Sequence, residues 1–158
     1  MIFLRLYLVQ HAEAKSKTED PERPLSDKGL MDIRKIALHA KRSFLIEVAE
    51  IFHSGKLRAK QTAEILAEYL QSSERVIVDE ALEPLADPKV WRTRLAGTKE
   101  DIMLVGHLPH LSRLASDLLC PNGKNEVISF KMGAIVCLER DGQNRWAIHW
   151  IITPDNLP

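Results

Sequence analysis

The chain's pattern predicts an α/β fold, a sheet layered by helices. Short apolar runs rich in β-forming residues alternate with segments whose apolar residues recur at helical spacing. Two late apolar runs flank Asp141-Gly142, a turn signal that adds an antiparallel portion to the sheet. No repeat, low-complexity tract or linker interrupts the 158 residues, so the expectation is one domain over 1–158.

Phe3 to Val9 is short, apolar and aromatic, and reads as a buried first strand. Residues 12–25 are polar and end in Arg23-Pro24-Leu25, a loop. Ser26 caps a helix on which Leu30, Ile33, Ala37 and Ala40 repeat at helical spacing. Val48 to His53 is a second strand. Arg58 to Leu70 is a helix with Ala59, Thr62, Leu66 and Leu70 along one stripe. Arg75 to Asp79 is a third strand, Val90 to Leu95 a short helix and Asp101 to Gly106 a fourth strand. Pro109 is placed to open a helix running to Leu119. Val127 to Arg140 and Arg145 to Ile152 are the last two strands.

The bulk properties exclude several classes. A chain of this length buries roughly 68–70% of its unfolded surface and needs no staples. The apolar and charged fractions, 45% and 28%, are those of a globular protein. Formal net charge is zero, so the chain has no nucleic-acid footprint. Lys15, Lys17, Arg23, Lys28, Lys56, Arg58 and Lys60 leave room for a local basic patch, although a lone lysine is more simply a solvated charge. No apolar run approaches the roughly 20 residues that span a bilayer. The first residues lead straight into a strand without a basic, cleavable leader, so the expected location is the cytoplasm. Cys120 and Cys137 have no metal-ligand spacing; their pairing is left open, and Cys137 in its apolar run reads as a buried hydrophobe.

Three segments carry chemistry-bearing side chains to strand ends or a helix start. They are Gln10-His11 after the first strand, Ser54 to Thr62 opening a helix, and Gly106-His107 after the fourth strand. Strand ends of an open α/β sheet are where ligands bind. Phosphoryl transfer through an enzyme intermediate needs a neutral nucleophile and cations or donors around the equatorial oxygens. An acid assists the leaving group. His11 suits the first role, since an ordinary imidazole is largely neutral at pH 7. Fixing its attacking nitrogen requires a hydrogen bond at the other, which a backbone carbonyl can accept. Arg58 has a planar fork that matches phosphate, in a helix first turn that itself attracts anions. His107 follows Gly106, where backbone approaches a ligand closely, and can donate to phosphate or protonate a leaving atom.

The segments LYLVQHAEA, RPLSDKG, SGKLRAKQTAEIL and LVGHLPHLSRLASDLL, in that order, resemble the histidine phosphatase superfamily. Its marks are an Arg-His-Gly strand end, a Ser-Pro-x-x-Arg-Ala-x-Gln-Thr helix start and a Gly-His after a later strand. The short length and the Arg-Pro-Leu loop resemble its SixA branch, the small phosphohistidine phosphatases. The resemblance implies a phosphoglycerate mutase-like fold: three layers, with a central, mixed, mostly parallel sheet and helices on both faces. It implies a phosphatase that works through a covalent phosphohistidine, with no metal or organic cofactor. The expected partner is a phosphorylated protein, such as a phosphohistidine-bearing signalling domain, or a small phosphoester. His11 then matches the phosphorylated histidine, Arg58 the helix-borne phosphate ligand and His107 the second histidine. Glu83, in the loop after the third strand, is the candidate acid by position, with Glu80 near it.

Three residues depart from that pattern. Gln10 stands at the motif arginine, Ala12 at the glycine and Gly55 at the proline. Gln10 still donates to phosphate but brings no charge. Hydrogen bonds to charged groups contribute about 1.5–3 kcal/mol against about 1 for neutral ones, a deficit on the order of tenfold. A non-catalytic phospho-binding domain is therefore the alternative, and Arg23 or Lys15 is a candidate stand-in for the missing charge. Arg23 is also a candidate substrate contact. A mutase is disfavoured because the chain lacks room for large insertions over a small substrate. His39, His149 and His110 are expected to be structural, His110 exposed at a helix start. His53 is of more interest because it precedes Ser54. Zinc on His11, His53 and His107 is disfavoured, since no ligand pair has metal spacing.

Overall fold

The computed structural model describes residues 3–70 and 75–158. Its elements are β1 (Leu4–Gln10), α1 (Asp27–Ser43), β2 (Glu50–His53), α2 (Leu57–Leu70), β3 (Val76–Val78), α3 (Pro88–Gly97), β4 (Ile102–Gly106), α4 (His110–Leu119), β5 (Ile135–Arg140) and β6 (Trp146–Ile152). The six strands form one sheet in the order β3-β2-β4-β1-β5-β6. β3, β2, β4 and β1 are mutually parallel, and β5 runs antiparallel to both β1 and β6.

Both sheet faces are covered, so the central strands read as continuous apolar runs rather than alternating ones. Tyr7, Val9, Ile51, Met103, Val105 and Cys137 point to the layer of α1 and α2, with Ile33, Ala37, Ala63 and Leu66. Leu6, Leu8, Leu104, Val136 and Leu138 point to α3 and α4, with Trp91, Leu95, Leu111 and Leu114. This is the three-layer α/β architecture that the alternation of strands and helices predicts.

The helix boundaries follow local chemistry. Ser26 caps α1 by accepting the Gly29 N–H at 3.0 Å, and Asp87 caps α3 by accepting the Lys89 N–H at 2.9 Å. α3 is longer than Val90–Leu95 because this cap and Pro88 start it earlier.

The expected strand Val127–Arg140 is only half realised. Gly133 has φ +77°, its N–H donates to the Gln10 carbonyl at 3.0 Å, and Ala134 N–H donates to Lys131 at 3.1 Å. That turn delays pairing until Ile135. Ile128 and Phe130 are apolar because they are buried in the α3/α4 layer, not because they belong to a ladder. The turn expected at Asp141-Gly142 takes its left-handed residue at Asn144 instead (φ +63°), with Asp141 N–H donating to Arg145 O at 3.0 Å. Cys120 and Cys137 are both free. Among the described residues no helix is long and apolar enough to cross a membrane.

Candidate active site

β1 and β4 are neighbours, with Gln10 opposite Gly106 in the parallel register. The His11 N–H donates to the Gly106 carbonyl at 3.0 Å and carries the ladder one residue beyond the strand. His11 and His107 therefore leave the sheet side by side at its C-terminal edge. Their ring centroids are 5.0 Å apart, with planes tilted by 53°.

The His11 ring is fixed by its own neighbour. Nδ1–H donates to the Ala12 carbonyl at 2.7 Å, which leaves the Nε2 lone pair free. His11 is 8% exposed, and burial, with Arg58 and Arg23 nearby, holds its pKa down at about 4 against the pull of that carbonyl. His107 is 2% exposed, and its Nε2 lies 2.6 Å from Ser54 Oγ. Burial first, then His11, Arg58 and Lys56, lower its pKa to about 3. Both imidazoles are neutral at pH 7.

Arg58 stands in the first turn of α2, and its Nε is buried without a hydrogen-bond partner among the described residues. Burial, then Arg23, lowers its pKa. Among the described residues no carboxylate pairs with it. Arg58 and Arg23 both act electrostatically on His11, and Arg58 on His107 as well. The structure thus gathers His11, His107 and Arg58, with Arg23 within electrostatic reach of His11 and Arg58. A neutral, oriented nucleophilic nitrogen beside an unpaired guanidinium suits a tetrahedral anion.

The model of the histidine phosphatase superfamily (branch 1) matches residues 6–85, half of the chain, and includes both the His11 strand end and the Arg58 helix start. The chain belongs to the histidine phosphatase superfamily.

That membership supports phosphatase chemistry. The protein histidine phosphatase SixA, solved complexed with tungstate, has a similar fold: TM-score 0.84, 24% identity, 98% of this chain and 100% of that one covered. The phosphohistidine phosphatase SixA structure from Agrobacterium tumefaciens aligns at TM-score 0.76 and 21% identity, covering 96% of this chain and 98% of that one. The phosphoglycerate mutase from Bacillus anthracis str. Sterne aligns at TM-score 0.67 and 12% identity, covering 93% and 92%. At these identities the likeness concerns the fold, which is phosphoglycerate mutase-like. No curated protein matches the chain.

In this member of the superfamily the Arg-Ala-x-Gln-Thr helix start ties α2 to the segments around His11. Ala59 is fully buried. Gln61 Oε1 accepts the Leu25 N–H at 2.8 Å and ties α2 to the Arg-Pro-Leu loop. Thr62 Oγ1 accepts the Ala12 N–H at 3.1 Å and donates to the Arg58 carbonyl at 2.8 Å. One threonine thus links the segment after His11 to the turn that carries Arg58. Sequence reading places Thr62 on the stripe of this helix and gives neither it nor Ser54 a role in the site, although both lie in the quoted motif.

The departures from the family pattern differ in consequence. Ala12 is fully buried and well accommodated. Gly55 has φ +91°, which proline cannot adopt, so this turn takes another path from the motif's. Gln10 shares the face of Leu6 and Leu8, toward the α3/α4 layer, and its Oε1 is buried without a partner among the described residues. Arg23, at φ +50°, donates from Nε to the Lys15 carbonyl at 3.1 Å. The loop folds back through a bridge between Ala14 and Leu25, which brings Arg23 toward the site.

Glu83 is exposed at the end of a 3-10 turn (Glu80–Leu82), and its side chain makes no hydrogen bond among the described residues. The Leu82 carbonyl of that turn faces Gly106, the residue before His107, from the α3/α4 layer. Glu80 is exposed too. His110 corrects an expectation: it is fully buried, because it lies one turn before Leu114 on the apolar stripe of α4. His39 is half-buried against the Phe44 ring, and His149 is exposed. His53 is buried and accepts the Gly55 N–H on Nδ1 at 3.1 Å. Lys28 and Lys60 pair with Asp32 and Glu64 on helix surfaces. Among the described residues no group of three or more His, Cys, Asp or Glu gathers as a metal site.

Proposed function

We propose that the chain is a SixA-type phosphatase, one catalytic domain over 1–158, hydrolysing phosphohistidine or another phosphorylated group. The observation that carries the reading is His11: Nδ1 pinned by Ala12, Nε2 free, and a second neutral histidine and an unpaired arginine beside it. In the first step the Nε2 lone pair attacks phosphorus in line. A P–N bond forms, the bond to the leaving group breaks, and the leaving atom takes a proton from solvent or Glu83. Arg58 and His107 donate to the equatorial oxygens, where charge sits. In the second step water attacks the phosphohistidine, releases phosphate and restores His11. Arg23 and Gln10 complete the phosphate surroundings, and Arg23 meets the substrate.

The substrate class we favour is a protein-borne phosphate, such as a phosphohistidine-bearing signalling domain in the cytoplasm. The positive charges of Arg58, Arg23 and Lys56 acting on the two histidines, in a chain of zero net charge, support it. A phosphoramidate nitrogen leaves readily once protonated, which relaxes the need for a dedicated acid. No metal or organic cofactor takes part in this reading.

Incubation with a phosphodonor is expected to place acid-labile phosphate on His11. His11→Ala is expected to abolish labelling and turnover with an unchanged circular dichroism spectrum. Full activity in that variant refutes nucleophilic catalysis by His11. The uncharged Gln10 favours a second reading, a non-catalytic phospho-binding domain. Phosphate binding without labelling or release of phosphate from phosphohistidine would establish that reading instead.

A further inference from the structure

Ser54 and His107 are both almost inaccessible, 3% and 2% exposed, and Ser54 Oγ lies 2.6 Å from His107 Nε2. We propose that Ser54 is a positioning residue that holds His107 in its Nδ1–H tautomer and so turns the remaining ring nitrogen into a donor for the bound phosphate. The inference deepens the phosphoryl-transfer reading and rests on it for the identity of the anion.

The argument is one of hydrogen-bond accounting. A neutral imidazole has one donor and one acceptor nitrogen. Among the described residues Ser54 Oγ has two hydrogen-bonding neighbours, His107 Nε2 and the Lys56 N–H at 3.3 Å. Lys56 N–H can only donate. The buried hydroxyl hydrogen therefore has a single acceptor among these neighbours, His107 Nε2. The opposite arrangement, Nε2–H donating to Oγ, leaves that hydroxyl hydrogen without an acceptor in a buried site, which is unfavourable. With Nε2 accepting, the proton resides on Nδ1. That atom is buried and has no hydrogen-bond partner among the described residues. A buried orphan donor 5.0 Å ring-to-ring from the nucleophilic His11 is a group awaiting an acceptor, and a phosphoryl oxygen supplies it. The reverse tautomer would aim a lone pair at an anion.

The fold aims the serine. His53 pairs with Val105 in the ladder of β2 and β4, so Ser54 and His107 leave adjacent strands. Next to them, His53 Nδ1 accepts the Gly55 N–H at 3.1 Å and Gly55 turns at φ +91°, directing the chain away immediately after Ser54. The serine of the helix-start motif is in this way a support for a histidine over 50 residues later in the chain, not a ligand in its own right.

The tautomer is read directly by long-range 1H–15N correlation on protein labelled with 15N-histidine, with the His107 signals assigned by their loss in His107→Asn. The ligand-free wild type at pH 7 is expected to show the Nδ1–H pattern. Ser54→Ala is expected to move it toward Nε2–H, and Ser54→Thr, which keeps the hydroxyl, to retain it. Titration with inorganic phosphate should shift the Nδ1–H resonance of the wild type. Loss of an oriented, charge-assisted bond should weaken phosphate binding roughly tenfold in Ser54→Ala. An Nε2–H pattern in the wild type, or a tautomer indifferent to Ser54→Ala, overturns the proposal. So does a Nδ1–H signal that phosphate leaves unmoved. If the tautomer follows Ser54 and phosphate shifts it while a phosphodonor leaves His11 unlabelled, the Ser54 assignment stands and the catalytic reading falls.

Discussion

At position 10 a neutral amide occupies the place where the family pattern has a guanidinium, and Arg23 supplies a positive charge that acts on His11 and Arg58 from a different loop. The two residues make a testable pair. Gln10→Arg is expected to raise phosphate affinity on the order of tenfold and to make it more sensitive to ionic strength. Arg23→Ala is expected to weaken it. If Arg23 fills the missing charge's place, the gain from Gln10→Arg is larger in the Arg23→Ala background than in the wild type. Competitive inhibition by inorganic phosphate across the four proteins measures that coupling. Equal gains in both backgrounds would mean the residues act independently. No gain in either would remove Gln10 from the phosphate surroundings.

Among the elements, the turn between β2 and α2 bears the most weight per residue. It carries Ser54 against His107, Gly55 in a left-handed conformation and Arg58 one turn later. Restoring the motif's proline is expected to harm this particular chain. Gly55→Pro removes the N–H that His53 accepts and demands φ near −65° where +91° is observed. The stability loss should exceed about 1 kcal/mol in urea unfolding, and phosphate binding should weaken as Ser54 shifts. A variant as stable and as tight as the wild type would show that the turn is free to take the motif's path. That Gly55 stands at the motif's proline was available from sequence. The sign of φ, which makes the reverse substitution costly, was not, because it depends on how β2 and α2 dock.

Over the whole molecule, the buried site couples stability to pH. His11 and His107 are neutral in the folded chain with pKa values of about 4 and about 3, whereas an unfolded histidine titrates near 6.5. Below that value the unfolded chain binds protons that the folded chain refuses. Their contribution is therefore complete above about pH 6.5 and is lost as pH falls toward about 4. His53 and His110 are shifted in the same direction, chiefly by burial. Between pH 7 and 5 the loss should be on the order of 2 kcal/mol from His11 alone. Urea-unfolding free energies at the two pH values check this, and His11→Asn should flatten part of the slope. Stability unchanged between them would contradict the burial of neutral imidazoles. Over the same range a neutral His11 keeps its lone pair, so phosphate labelling should persist below pH 6.

The order of strands and helices, the cap at Ser26, and the placement of His11, Arg58 and His107 at strand ends and a helix start are local matters of pattern and spacing, and the sequence by itself determined them. Three things were decided only by tertiary structure. β1 pairs with β4 rather than with its chain neighbour β2, and that non-local choice sets His11 beside His107. Ser54 and Thr62 acquire their partners across more than 45 residues of chain, and neither residue type nor spacing specifies a partner at that range. His110 was expected at the surface as a polar residue at a helix start, yet the docking of α4 on the sheet buries it with Leu111 and Leu114. In each case the deciding energy is the burial of two apolar layers on one sheet. It fixes which strands are neighbours, and the side chains at their ends meet whomever that packing supplies.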